Sequence, residues 1–234
     1  MKKNNHILLL ISILGLTLPF AASAQTCEAY FPVSQGTTME LTSYDAKDKV
    51  SSIIQSSITA VRSEGEALIA SVHAVLKDAR GRDGRVMDYE VSCEGGVFKM
   101  DFGAMAAGGF PGQMEGMEMQ IESDDLSIPR DLEAGTTLPD VSYSVKANMN
   151  GMTIMSMGMH SKNRKATKRE QVTTPAGTFD CILIEADNES TGMGGMSFSN
   201  HEKTWYSLNT GIVRQESFRD NKLQSYQVLT KFSR

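Results

Sequence analysis

The side chains in this sequence best suited to chemistry are its sulfurs. Fifteen methionines, Met1 included, are many for 234 residues. They fall in groups: Met114, Met117 and Met119; Met149, Met152, Met155, Met157 and Met159; Met193 and Met196. Soft thioethers select copper(I). Met155, Met157 and Met159 alternate along the chain and so share one strand face, which makes them the candidate metal ligands. His160 lies on the opposite face, and His201 follows the third group. Methionine also fills irregular apolar cores, and that packing role is the competing reading. The remaining chemistry is sparse. His73, His160 and His201 are scattered singly, and Asp124-Asp125 sits in a Ser/Asp stretch that turn chemistry explains. There is no G-x-S-x-G elbow, H-E-x-x-H, P-loop or dinucleotide-binding glycine fingerprint. An enzyme is therefore not expected, no catalytic residue is assigned and no cofactor is called for.

The elements that would position these residues are strands. Asp45-Ala-Lys-Asp48, Gly81-Arg-Asp-Gly84, Gly95-Gly96, Asn150-Gly151, Pro175-Ala-Gly177 and Asp220-Asn221 are turn signals. The runs between them have the rhythm of an antiparallel all-β protein. A two-residue turn at Gly95-Gly96 pairs Cys93 with Phe98, Val91 with Met100 and Tyr89 with Phe102, giving one wholly apolar face. A turn at Asn150-Gly151 pairs Met149, Ala147, Val145, Tyr143 and Val141 with Met152, Ile154, Ser156, Gly158 and His160. That register leaves Met155, Met157 and Met159 on an otherwise polar face. Val50–Leu76 reads as two long strands, with a helix in its first part as the alternative. Gly103–Gly116 and Gly192–Met196 read as long loops, and the basic run Lys162–Arg169 as the solvated face of a strand.

The N-terminus reads as an export signal. Lys2 and Lys3 precede an apolar run, Ile7–Phe20, and the small residues Ala22 and Ala24 mark a cleavage site. The run is short for a membrane span, and Cys27 comes two positions too late for lipid attachment at the cut. The expected organisation is a helical signal peptide over 1–24 and a single antiparallel β domain over 25–234. The full chain carries a net charge of −5, and cleavage removes Lys2 and Lys3, making it more acidic by two. Such a balance offers no footprint for nucleic acid, and no second apolar stretch of spanning length follows. The expected location is the periplasm or envelope of a Gram-negative bacterium, or outside the cell.

Three cysteines allow one bridge and one free thiol. Cys181 alternates with Phe179 and Leu183, as a buried residue would, whereas Cys27 lies in a segment that needs tying down. Cys27–Cys93 is the favoured pair, although spacing alone does not fix connectivity. No C-x-x-C occurs to suggest a redox or zinc site.

Four segments, Tyr30–Thr37, Tyr89–Val97, Thr173–Cys181 and Trp205–Val213, resemble the TapB-like family of exported bacterial β-domains. The resemblance spans nearly the whole mature chain. It implies a strongly curved antiparallel sheet, an open half-barrel similar to LolA and LolB lipoprotein carriers, and it favours strands over Val50–Leu76. It implies no activity. Residues expected to line either a ligand groove or a filled core are Tyr89, Val91, Phe98, Met100, Phe102, Tyr143, Val145, Ile154, Phe179, Leu183, Trp205, Ile212 and Val213. The expected function is non-enzymatic binding of an apolar small molecule, a lipid or an envelope protein. A copper(I) binder and an envelope scaffold are the alternatives.

Overall fold

The computed structural model describes residues 27–101, 103, 117–192 and 196–234. The export signal, Phe102, Met114, Met193 and most of the two glycine-rich stretches lie outside them. The described elements, in chain order, are thirteen strands. They are β1 (Thr38–Asp45), β2 (Val50–Glu64), β3 (Ala67–Asp78), β4 (Asp83–Glu94), β5 (Val97–Asp101), β6 (Met117–Ser123) and β7 (Asp125–Pro129). The second half supplies β8 (Val141–Met149), β9 (Met152–Thr174), β10 (Gly177–Thr191), β11 (Ser197–Ser207), β12 (Gly211–Arg219) and β13 (Lys222–Ser233).

All thirteen belong to one antiparallel sheet ordered β6-β8-β9-β10-β11-β12-β13-β1-β2-β3-β4-β5-β7. Its curvature makes it a nearly closed barrel. The two edge strands, β6 and β7, are consecutive in sequence, with only Asp124 between them. The backbone N–H of Asp124 donates to Ser142 O at 2.8 Å, and Ser142 returns bonds from N and Oγ to Asp124 Oδ2 at 3.0 and 2.7 Å. This residue, expected in a loop, forms the corner that joins the two sheet edges.

The turn chemistry explains the hairpins. Gly95 and Gly96, Asn150 and Gly151, and Asp220 and Asn221 all have positive φ in both turn positions. That is the type I′ geometry matching the twist of flanking strands. Val50–Leu76 forms β2 and β3 rather than a helix, and β3 alternates cleanly, with Leu68, Ala70, Val72 and Ala74 buried. Cys93 pairs with Phe98 and Val91 with Met100, the register expected from the apolar face.

The second hairpin departs from expectation. Met149 pairs with Met152 and Asn148 with Thr153, but Ala147 then pairs with Met155, so that Ile154 is an extra, bulged residue. Beyond the bulge, Val145 faces Met157 and Tyr143 faces Met159. A one-residue slip transfers every side chain to the other face. The methionine row therefore joins Val141, Val145 and Ala147, which are buried, and Ile154 is left 51 % exposed. The slip puts three apolar side chains among apolar neighbours at the expense of one, which is why the bulged register prevails.

Before β1, the chain from Cys27 to Phe31 packs into the barrel. Ala29 and Tyr30 are buried, Asn209 N donates to Ala29 O at 2.6 Å, and Phe31 stacks on Phe98 with centroids 5.3 Å apart. Cys27 is bonded to Cys93 of β4, with Cα atoms 6.1 Å apart. A second, smaller apolar cluster forms on the other face of the sheet from Val172, Cys181, Leu183, Trp205 and Val213, with Phe179 against it.

Candidate functional site

Inside the barrel is a cavity of about 370 Å³, within the range of small-molecule sites. Residues with little side-chain volume face it from several strands: Ala74 on β3, Ser161 on β9, Ala186 on β10 and Gly211 on β12. The space persists because these positions carry too little side chain to fill the centre. Around the space, β1 to β5 and β7 supply an apolar wall that includes Leu41, Ile54, Met87 and Leu126.

The expected groove-or-core residues that are described form three groups, with Ile154 apart from all of them. Tyr89, Phe98, Met100 and Ile212 line the cavity, joined by Met159 from the methionine row. Val91 and Val145 are buried without lining it, and Tyr143 is half-buried. Phe179, Leu183, Trp205 and Val213 belong to the cluster on the opposite face, so they form core there and no part of the cavity. Ile154 is neither groove nor core, because the bulge turns it outward. Met155 and Met157 are half-buried on the inner face of β9. Among the described residues no group of three or more His, Cys, Asp or Glu side chains is arranged to hold a metal ion.

The opposite wall of the cavity, from β9 to β13, carries a polar row. Gln227 Nε2 donates to Gln215 Oε1 at 2.5 Å, and Gln215 Nε2 to Thr204 Oγ1 at 3.3 Å. Thr204 Oγ1 and Asn188 Nδ2 then donate to the two oxygens of Glu202, each at 3.1 Å. The row crosses four strands and ends at Asn188, whose Oδ1 is buried and has no hydrogen-bond partner among the described residues. An acceptor left that way costs about 1–3 kcal/mol. Burial pushes the Glu202 carboxyl above its ordinary value, against the opposing pull of Gln215, Thr204, Asn188 and Arg164. Burial likewise raises the Tyr206 phenol, and it raises that of Tyr89 to about 12.

Arg164 stands beside this row at only 4 % exposure. Its Nη1 donates to Pro139 O at 2.7 Å, and no carboxylate among the described residues lies within ion-pair distance. Burial lowers its pKa, opposed more weakly by Tyr206, Asp140 and Glu202. The basic run Lys162–Arg169 is thus not uniformly a solvated face. Lys162 pairs with Glu189 on the outside, but Asn163 adopts a left-handed φ of 55° and the β9–β10 register shifts there, turning Arg164 inward. Sequence reasoning missed Arg164, Asn188, Glu202 and Gln215. The only local signal was Asn163, a residue type that tolerates the left-handed conformation.

The free thiol of Cys181 is buried in the outer cluster, where burial pushes its pKa up to about 12, with Asp180 and Glu170 adding to the rise. Such a thiol is inert as a nucleophile at neutral pH.

A family model described as DUF3108-like matches residues 34–229. Two solved structures share the fold. One is a candidate lipoprotein of Parabacteroides distasonis, 24 % identical, and the other a candidate exported protein with a YmcC-like fold from Bacteroides fragilis, 21 % identical. Each superposes with a TM-score of 0.72 over 89 % of this chain and 100 % of the other. At these identities the likeness is one of fold. No curated protein matches the chain.

Proposed function

The chain belongs to the DUF3108-like family, and from that premise we propose that it is an exported envelope protein that holds an apolar ligand in the barrel without transforming it. The observation that carries this reading is the cavity of about 370 Å³, faced by apolar side chains from β1 to β5 and β7. A largely apolar space of this size that the protein leaves unfilled supports a binding role by physical default. Export is supported by the N-terminal signal pattern and by the exported and lipoprotein descriptions of the two fold neighbours. A periplasmic address, a single domain over 25–234, and the narrower TapB-like, carrier-type kinship belong to the same proposal. No helix among the described residues is long and apolar enough to cross a membrane.

A copper(I) role has one observation in its favour: Met155, Met157 and Met159 alternate along β9, and the bulge before them turns all three to the inner face. Native mass spectrometry of the mature protein, purified from its own envelope without detergent, separates the readings. We expect co-purified lipid-soluble mass that survives changing the three methionines to leucine. A copper increment abolished by that change would replace the ligand cavity with a metal site. Bare protein that also refuses added apolar ligands would leave a scaffold.

A further inference from the structure

Arg164 is buried inside the barrel without an ion pair, Glu202 and Asp140 acting on it only from beyond ion-pair distance, and that arrangement calls for a partner. Taking a guanidinium out of water is costly unless a counter-charge and hydrogen bonds compensate. Arg164 is 4 % exposed, its one described hydrogen bond goes to a neutral carbonyl, and it lines the cavity. Glu202 shares that wall but is engaged by Asn188 and Thr204, and it makes no ion pair with Arg164. Asn188, 5 % exposed and also lining the cavity, carries the unpartnered Oδ1. A buried cation without an ion pair and an orphaned polar atom thus sit together on the polar side of the chamber, facing its apolar wall.

We propose that Arg164 is the headgroup site of this cavity and that the ligand is a single-chain amphiphile with a carboxylate head, a fatty acid in chemical class. This rests on the ligand-cavity reading above and specifies its occupant. The guanidinium presents a planar fork of donors that matches the two oxygens of a carboxylate. Charge argues for a carboxylate over a phosphate head: a phosphate monoester brings about −1.5 to −2, more than one guanidinium neutralises. Shape argues for a single chain, because a volume near 370 Å³ is at the small end for a ligand site. The chain of the amphiphile would lie against Leu41, Ile54, Met87 and Leu126 on the facing wall. No bond is made or broken, so the role of Arg164 is binding and orientation.

The test compares laurate with dodecanol, which has the same chain and no charge, by calorimetric titration of the delipidated full-length mature protein. An uncharged naphthylamine dye serves as a head-independent probe of the cavity. The wild-type protein should bind laurate about tenfold or more tightly than dodecanol. Arg164→Gln should bring laurate down to the affinity of dodecanol while leaving dodecanol and the dye unchanged. Equal wild-type affinities for laurate and dodecanol would overturn the headgroup assignment and leave the cavity reading standing. A laurate preference that survives Arg164→Gln would equally remove Arg164 from the role. Failure of the dye and both amphiphiles to bind would sink the cavity reading and the headgroup with it. If Arg164→Gln does not fold, the wild-type comparison still decides the class of head.

Discussion

Glu202 and Glu40 are two carboxylates in one barrel whose environments push them in opposite directions. At Glu40 burial acts upward, but hydrogen bonds from Lys231, Gln55 and Thr230 outweigh it and the pKa falls below the ordinary 4.5. Its contribution to stability is present above that value and is lost as pH falls through the folded one. At Glu202 burial wins and the pKa is raised above 4.5. The contribution of Glu202 is therefore most favourable below that value and is lost as pH rises through the raised one. Glu202→Gln should then be more heat-stable than the wild type at about pH 8, with the difference shrinking to nothing towards pH 4. Thermal unfolding across that range measures it. The amide introduced there can also donate to the orphaned Asn188 Oδ1 once Asn188 reorients. An equal loss of stability at both ends of the range would mean that Glu202 is held ionised in the fold. None of this was legible in the sequence. His201-Glu202-Lys203-Thr204 reads as an ordinary polar strand, because an inward polar row leaves no apolar alternation to detect.

Among the elements, turns were legible and bulges were not. Gly95-Gly96 and Asn150-Gly151 announce their hairpins because positive φ in two successive positions restricts the residue types. The alternation of Leu68, Ala70, Val72 and Ala74 announces β3 for the same kind of reason, a steric rule acting within a few residues. A bulge is decided by what lies across the sheet. Ile154 is extra because the methionines beyond it need apolar neighbours, and Asn163 because Arg164 turns inward. Both shifts moved candidate residues to the opposite face from the one their spacing indicated. The bulge at Ile154 makes an unusual prediction. Its side chain is half exposed and its backbone has no pairing partner among the described residues. Deleting Ile154 should therefore let Met155 keep its place opposite Ala147 in an unbroken ladder. The deletion should change the unfolding free energy by no more than about 1 kcal/mol, the centre of the range for single changes. Urea unfolding of the shortened chain checks it. Loss of cooperative folding would mean that the bulge is needed for the curvature of β9.

The whole molecule faces the problem of any sheet that curls without closing fully: two edges and two ends. The edges are joined at the Asp124 corner, where β6 runs into β7 with Ser142 bracing the turn. The stretch from Cys27 to Phe31 packs into the interior, and Tyr30 and Phe31 form part of the cavity wall. That stretch precedes the first strand and has no ladder to hold it, so its docking depends on Ala29, Tyr30, the stack on Phe98 and the Cys27–Cys93 bond. The bond spans 66 positions in sequence, and closing a loop of that length in the unfolded chain is worth about 4 kcal/mol in the chain-entropy model. Reduction, or Cys27→Ser with Cys93→Ser, should lower the unfolding free energy by that amount, read as a fall in the urea midpoint. The fluorescence of Trp205, the sole tryptophan, reports the transition from the opposite face of the sheet. The same change should weaken binding of the uncharged dye, which Arg164→Gln leaves unchanged, because it frees a piece of the cavity wall instead of one donor on it. If stability falls while dye binding is untouched, Tyr30 and Phe31 are held by their own packing, and the bond serves only to restrict the unfolded chain.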